Sequence, residues 1–360
     1  MISEKHYLAA LYSFTDFGPK RTDLLLNYFK SAEKVWQLKK AKLSEVGLRD
    51  SLVDKFVEYR EKFDIASYIK RLDKLGIKFT TRTSKCYPEN LKGLDGSPVV
   101  LYYRGTWSKN DENAVAIVGT RKMTSYGREV AEKFSTELAS VGITIVSGLA
   151  RGIDTIAHKS ALSAGGRTIA VVASGLDNIY PPENASLSKM ISENGVVFSE
   201  YPLGYPALPV NFPSRNRIVS GLAKAIIVVE GLKKSGTLLT ASHAAAQGRT
   251  VFAVPGQITS VFSEAPHYLL QNGAKFAFST KDILDELDLE VKVDKEKVSK
   301  ILPGNPEEKK IFEILEGESL HLDEIARITQ IDISRICSVI VSMRLKGMVK
   351  EVGAGVYKKI

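Results

Sequence analysis

The stretch "FPSRNRIVSGLA" (212–223) sets two arginines on either side of an asparagine, immediately before an apolar run. A guanidinium is always charged and carries five N–H donors in a planar fork, so Arg215 and Arg217 are costly to place near a core without anions. Two kinds of anion answer that need. One is a phosphate-bearing polymer, with Asn216 between the arginines and Phe212 offering a ring on which a base can stack. The other is internal, a structural ion pair with Glu200 or Glu230.

Three further stretches carry the same chemistry. "GTRKMTSYG" (119–127) combines small residues with Arg121 just before a helix start. "SGLARG" (147–152) repeats the combination, with Gly148 letting backbone approach an anion and Arg151 supplying charge. "EGLKKSGTLLTA" (230–241) places Lys233 and Lys234 before Ser235, Gly236 and Thr237 at a helix start, where free amides and two hydroxyls make a phosphate seat or an ordinary cap. The dinucleotide pattern GxGxxG and the P-loop pattern are both absent, and no ribose-binding acid follows the second strand. Asp154 and His158, four apart on one helix face, read as a helix-start packing pair, since no serine or cysteine nucleophile motif adjoins them. No catalytic residue, metal site or cofactor is expected.

These loops need a frame to bring them together. Six short apolar runs, "AVAIVGT", "ITIVSG", "TIAVVASG", "VVFSEY", "AIIVVEG" and "TVFAVPG", alternate with helical patterns between 114 and 256. Strands apolar on both faces imply a parallel sheet covered on both sides, an open doubly wound α/β domain. Ligands in such sheets bind beyond the carboxyl ends of the strands, where all four basic stretches fall. "FPSRNR" reads as an approach loop leading into the helix before "KAIIVVEG".

Around this core, residues 1–80 show short helical patterns broken by glycine, with 16 basic against 11 acidic residues. Residues 81–280 form the α/β region, 20 basic against 14 acidic. A charged linker is expected over 281–302. Three helices and a β-hairpin over 303–360 imply a winged helix, and with nine residues of each sign over 306–360 it suits a protein contact better than duplex DNA. The whole chain of 360 residues carries a net charge of +9, which favours a polyanionic partner. Two distant cysteines fit a reducing compartment, and neither a signal peptide nor a membrane-length apolar run is present, so a cytoplasmic protein is expected.

The strings "VAIVGTRKMTSYG", "IVSGLARGIDTIAH", "FPSRNRIVSGLAKAIIVVEG" and "SGTLLTASHAAAQGR" stand in the order and spacing of the DprA/Smf family (DNA processing protein A), which this chain resembles over about 80–280. The helical start and winged-helix end resemble the family's longer members. The resemblance implies an extended Rossmann-like domain that binds single-stranded DNA, helps load the RecA recombinase during natural transformation, and forms a homodimer through that domain. It implies phosphate-gripping positions at Arg121, the Gly148 loop and the Arg215-Asn216-Arg217 segment; the Ser235–Thr237 seat comes from helix-end physics alone. One departure stands out: the family's Gly-x-Asn is replaced here by Ala265 and His267, which bears on local contacts and on any dimer or partner surface there. Two other functions compete, a nucleotide-processing hydrolase on a related core and a transcription regulator led by the winged helix. The first lacks an acid after its phosphate turn, and the second lacks a basic recognition helix.

Overall fold

The structure, a computed structural model, describes residues 2–233, 235–287, 306–316, 318–345 and 348–359. Lys234 and most of the expected linker, 288–302, lie outside the described residues. The chain divides into two compact units.

The larger unit begins with six helices, α1 (Glu4–Ser13), α2 (Gly18–Phe29), α3 (Ala32–Gln37), α4 (Lys40–Ser44), α5 (Asp50–Lys62) and α6 (Ile65–Lys74). Their apolar positions meet in an aromatic-rich core in which Phe14, Phe17 and Phe56 pack ring against ring. That core runs on into the sheet, since Leu8, Tyr12 and Phe56 belong to one buried cluster with Tyr102, Val172 and Leu176.

The sheet has nine strands: β1 (Lys78–Thr81), β2 (Val100–Gly105), β3 (Ala114–Val118), β4 (Thr144–Ser147), β5 (Thr168–Val172), β6 (Val196–Ser199), β7 (Ala225–Val228), β8 (Thr250–Ala253) and β9 (Lys275–Phe276). Their spatial order is β1-β2-β6-β5-β4-β3-β7-β8-β9. From β6 to β9 every neighbouring pair is parallel, while β1 and β2 pair antiparallel with each other and β2 with β6. The six apolar runs read from the sequence are β3 to β8. Strands β3 to β7 are buried along their whole length, as a doubly covered sheet requires. Connecting helices are α7 (Ser125–Ser140), α8 (Ile153–Ser163), α9 (Ala185–Asn194), α10 (Asn211–Leu222), α11 (Gly236–Ala246) and α12 (Glu264–Gln271), followed by α13 (Thr280–Glu286). The order reverses between β3 and β7, so their carboxyl ends splay apart and leave a crevice.

The smaller unit holds α14 (Pro306–Ile314), α15 (Leu322–Thr329) and α16 (Ile333–Leu345), with a three-stranded sheet of β10 (Leu320–His321), β12 (Val356–Lys359) and β11 (Val349–Gly353). It is a winged helix with its own core, built on Ile311, Ile325, Ile336, Ile340 and Met343.

Candidate nucleic-acid interface

A crevice of about 630 Å³ opens at the carboxyl ends of β3 and β7. The loops after β3, β4 and β7 and the first two turns of α10 line it, so Arg121, Gly148, Phe212, Arg215, Asn216, Ser235, Gly236 and Thr237 all reach one site.

Arg121 is exposed at its mouth. Its guanidinium lies 4.9 Å from the centre of the Phe212 ring, and it makes no ion pair among the described residues. A cation held over a ring is oriented without being neutralised. Tyr180 meets the Phe212 ring edge-on, centroids 5.8 Å apart, and is itself part-exposed. The sequence reading missed Tyr180: it sits in "GLDNIYPPEN", which carries no basic residue. Arg151 is exposed and paired with Glu183, close to Arg121, Tyr180 and Phe212 at the crevice rim.

The two arginines that flank Asn216 part company. Both lie within α10, so the expected approach loop is a helix from Asn211 onward. The reason is packing: Ile218, Val219 and Leu222 on this segment join the core, and that overrides the weak helical propensity of Pro213, Ser214 and Asn216. Arg215 lines the inner wall but is only 4% exposed. Its Nη1 donates to the carbonyls of Gly148 and Val171, and its Nε donates to Asn216 Oδ1 at 3.1 Å. Burial lowers its pKa to about 10, against which the Asp154 carboxylate acts. Arg215 is thus a girder behind the site and not a cation presented to a ligand. Gly148 permits this, because a Cβ there would come within 2.5 Å of the guanidinium carbon.

The Gly148 loop is also committed inwardly. The amides of Gly148 and Ala150 donate to Asp154 Oδ2 at 3.1 and 3.3 Å, so an internal carboxylate occupies the anion seat the sequence suggested. Burial raises the pKa of Asp154. His158 is fully buried, its Nδ1 2.7 Å from Thr168 Oγ1, and burial pushes its pKa down to about 3. Asp154 and His158 are therefore packing groups with separate partners, not the pair their spacing suggested.

Arg217 points away from the crevice. Its Nη2 donates to both oxygens of Glu200, at 2.6 Å to Oε1, and Tyr12 OH donates to the same carboxylate. The internal ion pair weighed for these arginines is formed by Arg217 with Glu200. Glu230, the other candidate partner, accepts from Thr124 N and Oγ1 instead.

On the far wall, α11 starts at Gly236 behind the N-cap Ser235. Ser235 Oγ is buried without a partner among the described residues, and the first-turn amides of a helix have no intrahelical acceptor. Asn216 Nδ2 donates to the Gly236 carbonyl at 3.2 Å, which ties α10 to this helix end. At the sequence departure, Ala265 is fully buried in α12 and His267 Nε2 lies 3.1 Å from the Gly256 carbonyl. Position 265 is helical, so no positive φ is needed there.

A family model described as DNA recombination-mediator protein A matches residues 78–288, and one described as DprA winged helix domain matches residues 296–355. Protein Smf of Synechocystis is 32% identical over 386 residues, covering 97% of both chains. The DNA processing protein DprA of Bacillus subtilis is 42% identical over 59% of this chain and 72% of its own. Among solved structures, DNA processing protein A of Streptococcus pneumoniae superposes with a TM-score of 0.63 at 38% identity, over 69% of this chain and 87% of its own. DNA processing protein A of Helicobacter pylori, described for its single-stranded DNA binding mode, gives 0.53 at 30% identity, over 58% of this chain and 95% of its own.

Proposed function

The chain belongs to the family of DNA recombination-mediator protein A, and from that premise we propose that its crevice grips the backbone and bases of single-stranded DNA. Arg121 meets a phosphate with the N–H edge of its guanidinium while Phe212 and Tyr180 offer ring edges and faces to bases. The Gly236 and Thr237 amides and the unpartnered Ser235 hydroxyl seat a second phosphate. Arg215 and Asn216 hold the walls apart and in register. The observation that carries this reading is Arg121, an exposed, unneutralised cation stacked on an aromatic ring at the switch point of the sheet.

The site binds and does not catalyse in this reading: of Asp154 and His158 only Asp154 lines the crevice, and its carboxylate already accepts from the Gly148 and Ala150 amides. The strand is passed to the RecA recombinase, and two chains assemble through the sheet unit, whose β9 edge leaves Phe276 and Phe278 stacked and exposed. The winged helix acts as a protein contact. Its α16 presents Ile333 and Val341 outward, while Arg335 and Arg344 are paired with Glu307 and Glu351. A cytoplasmic setting fits these partners. No helix among the described residues is long and apolar enough to cross a membrane.

The test is fluorescence anisotropy of labelled oligo-dT against a duplex of equal length over a salt series. Wild type should prefer the single strand. Arg121→Ala should weaken binding to all sequences alike and lower the salt slope by ~0.7, the value for one single-strand phosphate contact. Equal affinity for both forms of DNA, or an unchanged slope in Arg121→Ala, would overturn the reading.

A further inference from the structure

A second cavity, of about 790 Å³, lies between the N-terminal helices and the sheet. The two cavities share α10 as a wall. Asn211, Ser214 and Arg217 face this cleft, whereas Phe212, Arg215 and Asn216 face the crevice, as the helical period places them on opposite flanks. The segment 205–211 rims both: Tyr205 and Asn211 border the cleft, Ala207 and Pro209 the crevice. Between them Leu208 and Val210 stand exposed, at 40% and 69%.

The buried floor of the cleft is a neutral pair, and exposed Asp95 is a further lining residue. Glu200 accepts from Arg217 and from Tyr12 OH, so the charges cancel and a helix of the N-terminal region is tied to the sheet. Above this pair, Tyr201 and Tyr205 stack face to face, with centroids 4.9 Å apart and planes 8° from parallel. Both rings are part-exposed. Across the cavity Lys20 is exposed and makes no hydrogen bond or ion pair among the described residues. A flat ring stack with a free cation in the same cleft and no net charge beneath is a surface for a base and its phosphate, indifferent to which base it is, with the Asp95 carboxylate limiting the phosphate to the Lys20 side.

We propose that this cleft is a second station for the same single strand: the strand leaves the crevice, crosses the apolar ridge at 208–210, and sets a base on the Tyr201–Tyr205 stack with its phosphate at Lys20. The inference rests on the crevice reading. It makes the N-terminal helices part of the binding surface. A helix is about 10–12 Å across, so the two stations are within reach of one short run of nucleotides.

The experiment compares oligo-dT of about four nucleotides, long enough for the crevice alone, with oligo-dT of about twenty, using the full chain. Tyr205→Ala should leave the short oligomer at wild-type affinity and weaken the long one by roughly 5- to 100-fold, the range measured for loss of one stacked base. Lys20→Ala should lower the salt slope of the long oligomer by ~0.7 and leave that of the short one unchanged. Tyr205→Phe, which keeps the ring, should bind like wild type. Unchanged long-oligomer affinity in Tyr205→Ala overturns the proposal. So does an equal loss at both lengths, which would place Tyr205 in the fold. So does saturable binding of thymidine monophosphate that Tyr205→Ala abolishes while the long oligomer is unaffected, which would make the cleft a mononucleotide pocket. Failure of the crevice reading is separate: wild type would then not hold the short oligomer, or Arg121→Ala would not weaken it.

Discussion

Replacing Arg215 by Ala separates an internal girder from a ligand-facing cation. The side chain is 4% exposed, and its loss leaves the Gly148 and Val171 carbonyls without a donor and the buried Asp154 without its compensating cation. Each unsatisfied buried acceptor costs ~1–3 kcal/mol, and the loss of the nearby charge from Asp154, with which Arg215 makes no direct ion pair among the described residues, adds to that. These penalties overlap in part, since one guanidinium serves all three groups, so the expected destabilisation is about 3–5 kcal/mol. For a unit of this size that lowers Tm by roughly 5–8 °C. The deficit should grow with pH. Burial already raises the pKa of Asp154 above its ordinary 3.8, and loss of the cation raises it further. The unfolded chain then releases this proton at lower pH than the folded chain does, so stability falls as pH rises through that interval. Thermal melts of wild type and Arg215→Ala at pH 5 and pH 7.5 should show the larger gap at pH 7.5. Asp154→Asn in the Arg215→Ala background should narrow it. A variant that melts like wild type at pH 7.5 yet fails to bind single strands would refute the reasoning and return Arg215 to the surface.

Arg217→Ala should also act through the fold, costing about 3 kcal/mol by stranding Glu200 and Tyr12, and should leave the salt slope for a short oligomer as in wild type; a slope reduced by one phosphate contact would contradict this. His158 titrates in the unfolded chain near 6.5 but in the folded chain only near 3. The unfolded state therefore takes up the proton first, and stability falls as pH drops below 6.5. Over the step from pH 6.5 to pH 5 this group contributes a loss of about 2 kcal/mol. Urea melts of His158→Gln should lack that share, and an unchanged pH dependence would rule it out. Deleting 303–360 should leave single-strand affinity within about twofold, because the winged helix packs on a core of its own; a tenfold loss would make it a DNA contact.

The parts of this molecule that were legible in the sequence are those where a local pattern has a single physical reading. Six apolar runs closed by small residues are hard to place except as a buried parallel sheet, and β3 to β8 are those runs. The loops carrying Arg121, Gly148 and Ser235 follow from it, because the carboxyl ends of such strands share one edge. Strands β1, β2 and β9 were not legible: Lys78–Thr81 and Lys275–Phe276 are short and polar at alternate positions, and only pairing with a neighbour makes them strands. The roles of Arg215 and Arg217 were not legible either. Their spacing says that both cannot point the same way on a helix, but composition suggested a loop, where that constraint does not apply. Whether a basic side chain meets a phosphate or Glu200 depends on contacts formed across many residues of chain. Phe212 was singled out for its ring, yet its partner Arg121 lies some ninety positions away, beyond any local signal.

The anion seat of the Gly148 loop is filled by Asp154, and the arginine behind it is spent on carbonyls. Among the described residues the crevice is therefore thinly charged, with Arg121 as its free cation and the α11 amides as its dipoles. In the proposed reading such a site holds one strand through few ionic contacts, so its hold on a single short segment is modest and only mildly salt-sensitive. Tight coating must then come from number: several chains on one long strand, each raising the effective concentration at which the next one rebinds. Chains that hold loosely one by one, and firmly only together, can be removed from an end one at a time, which is the property a protein needs if it is to cover a strand and then surrender it.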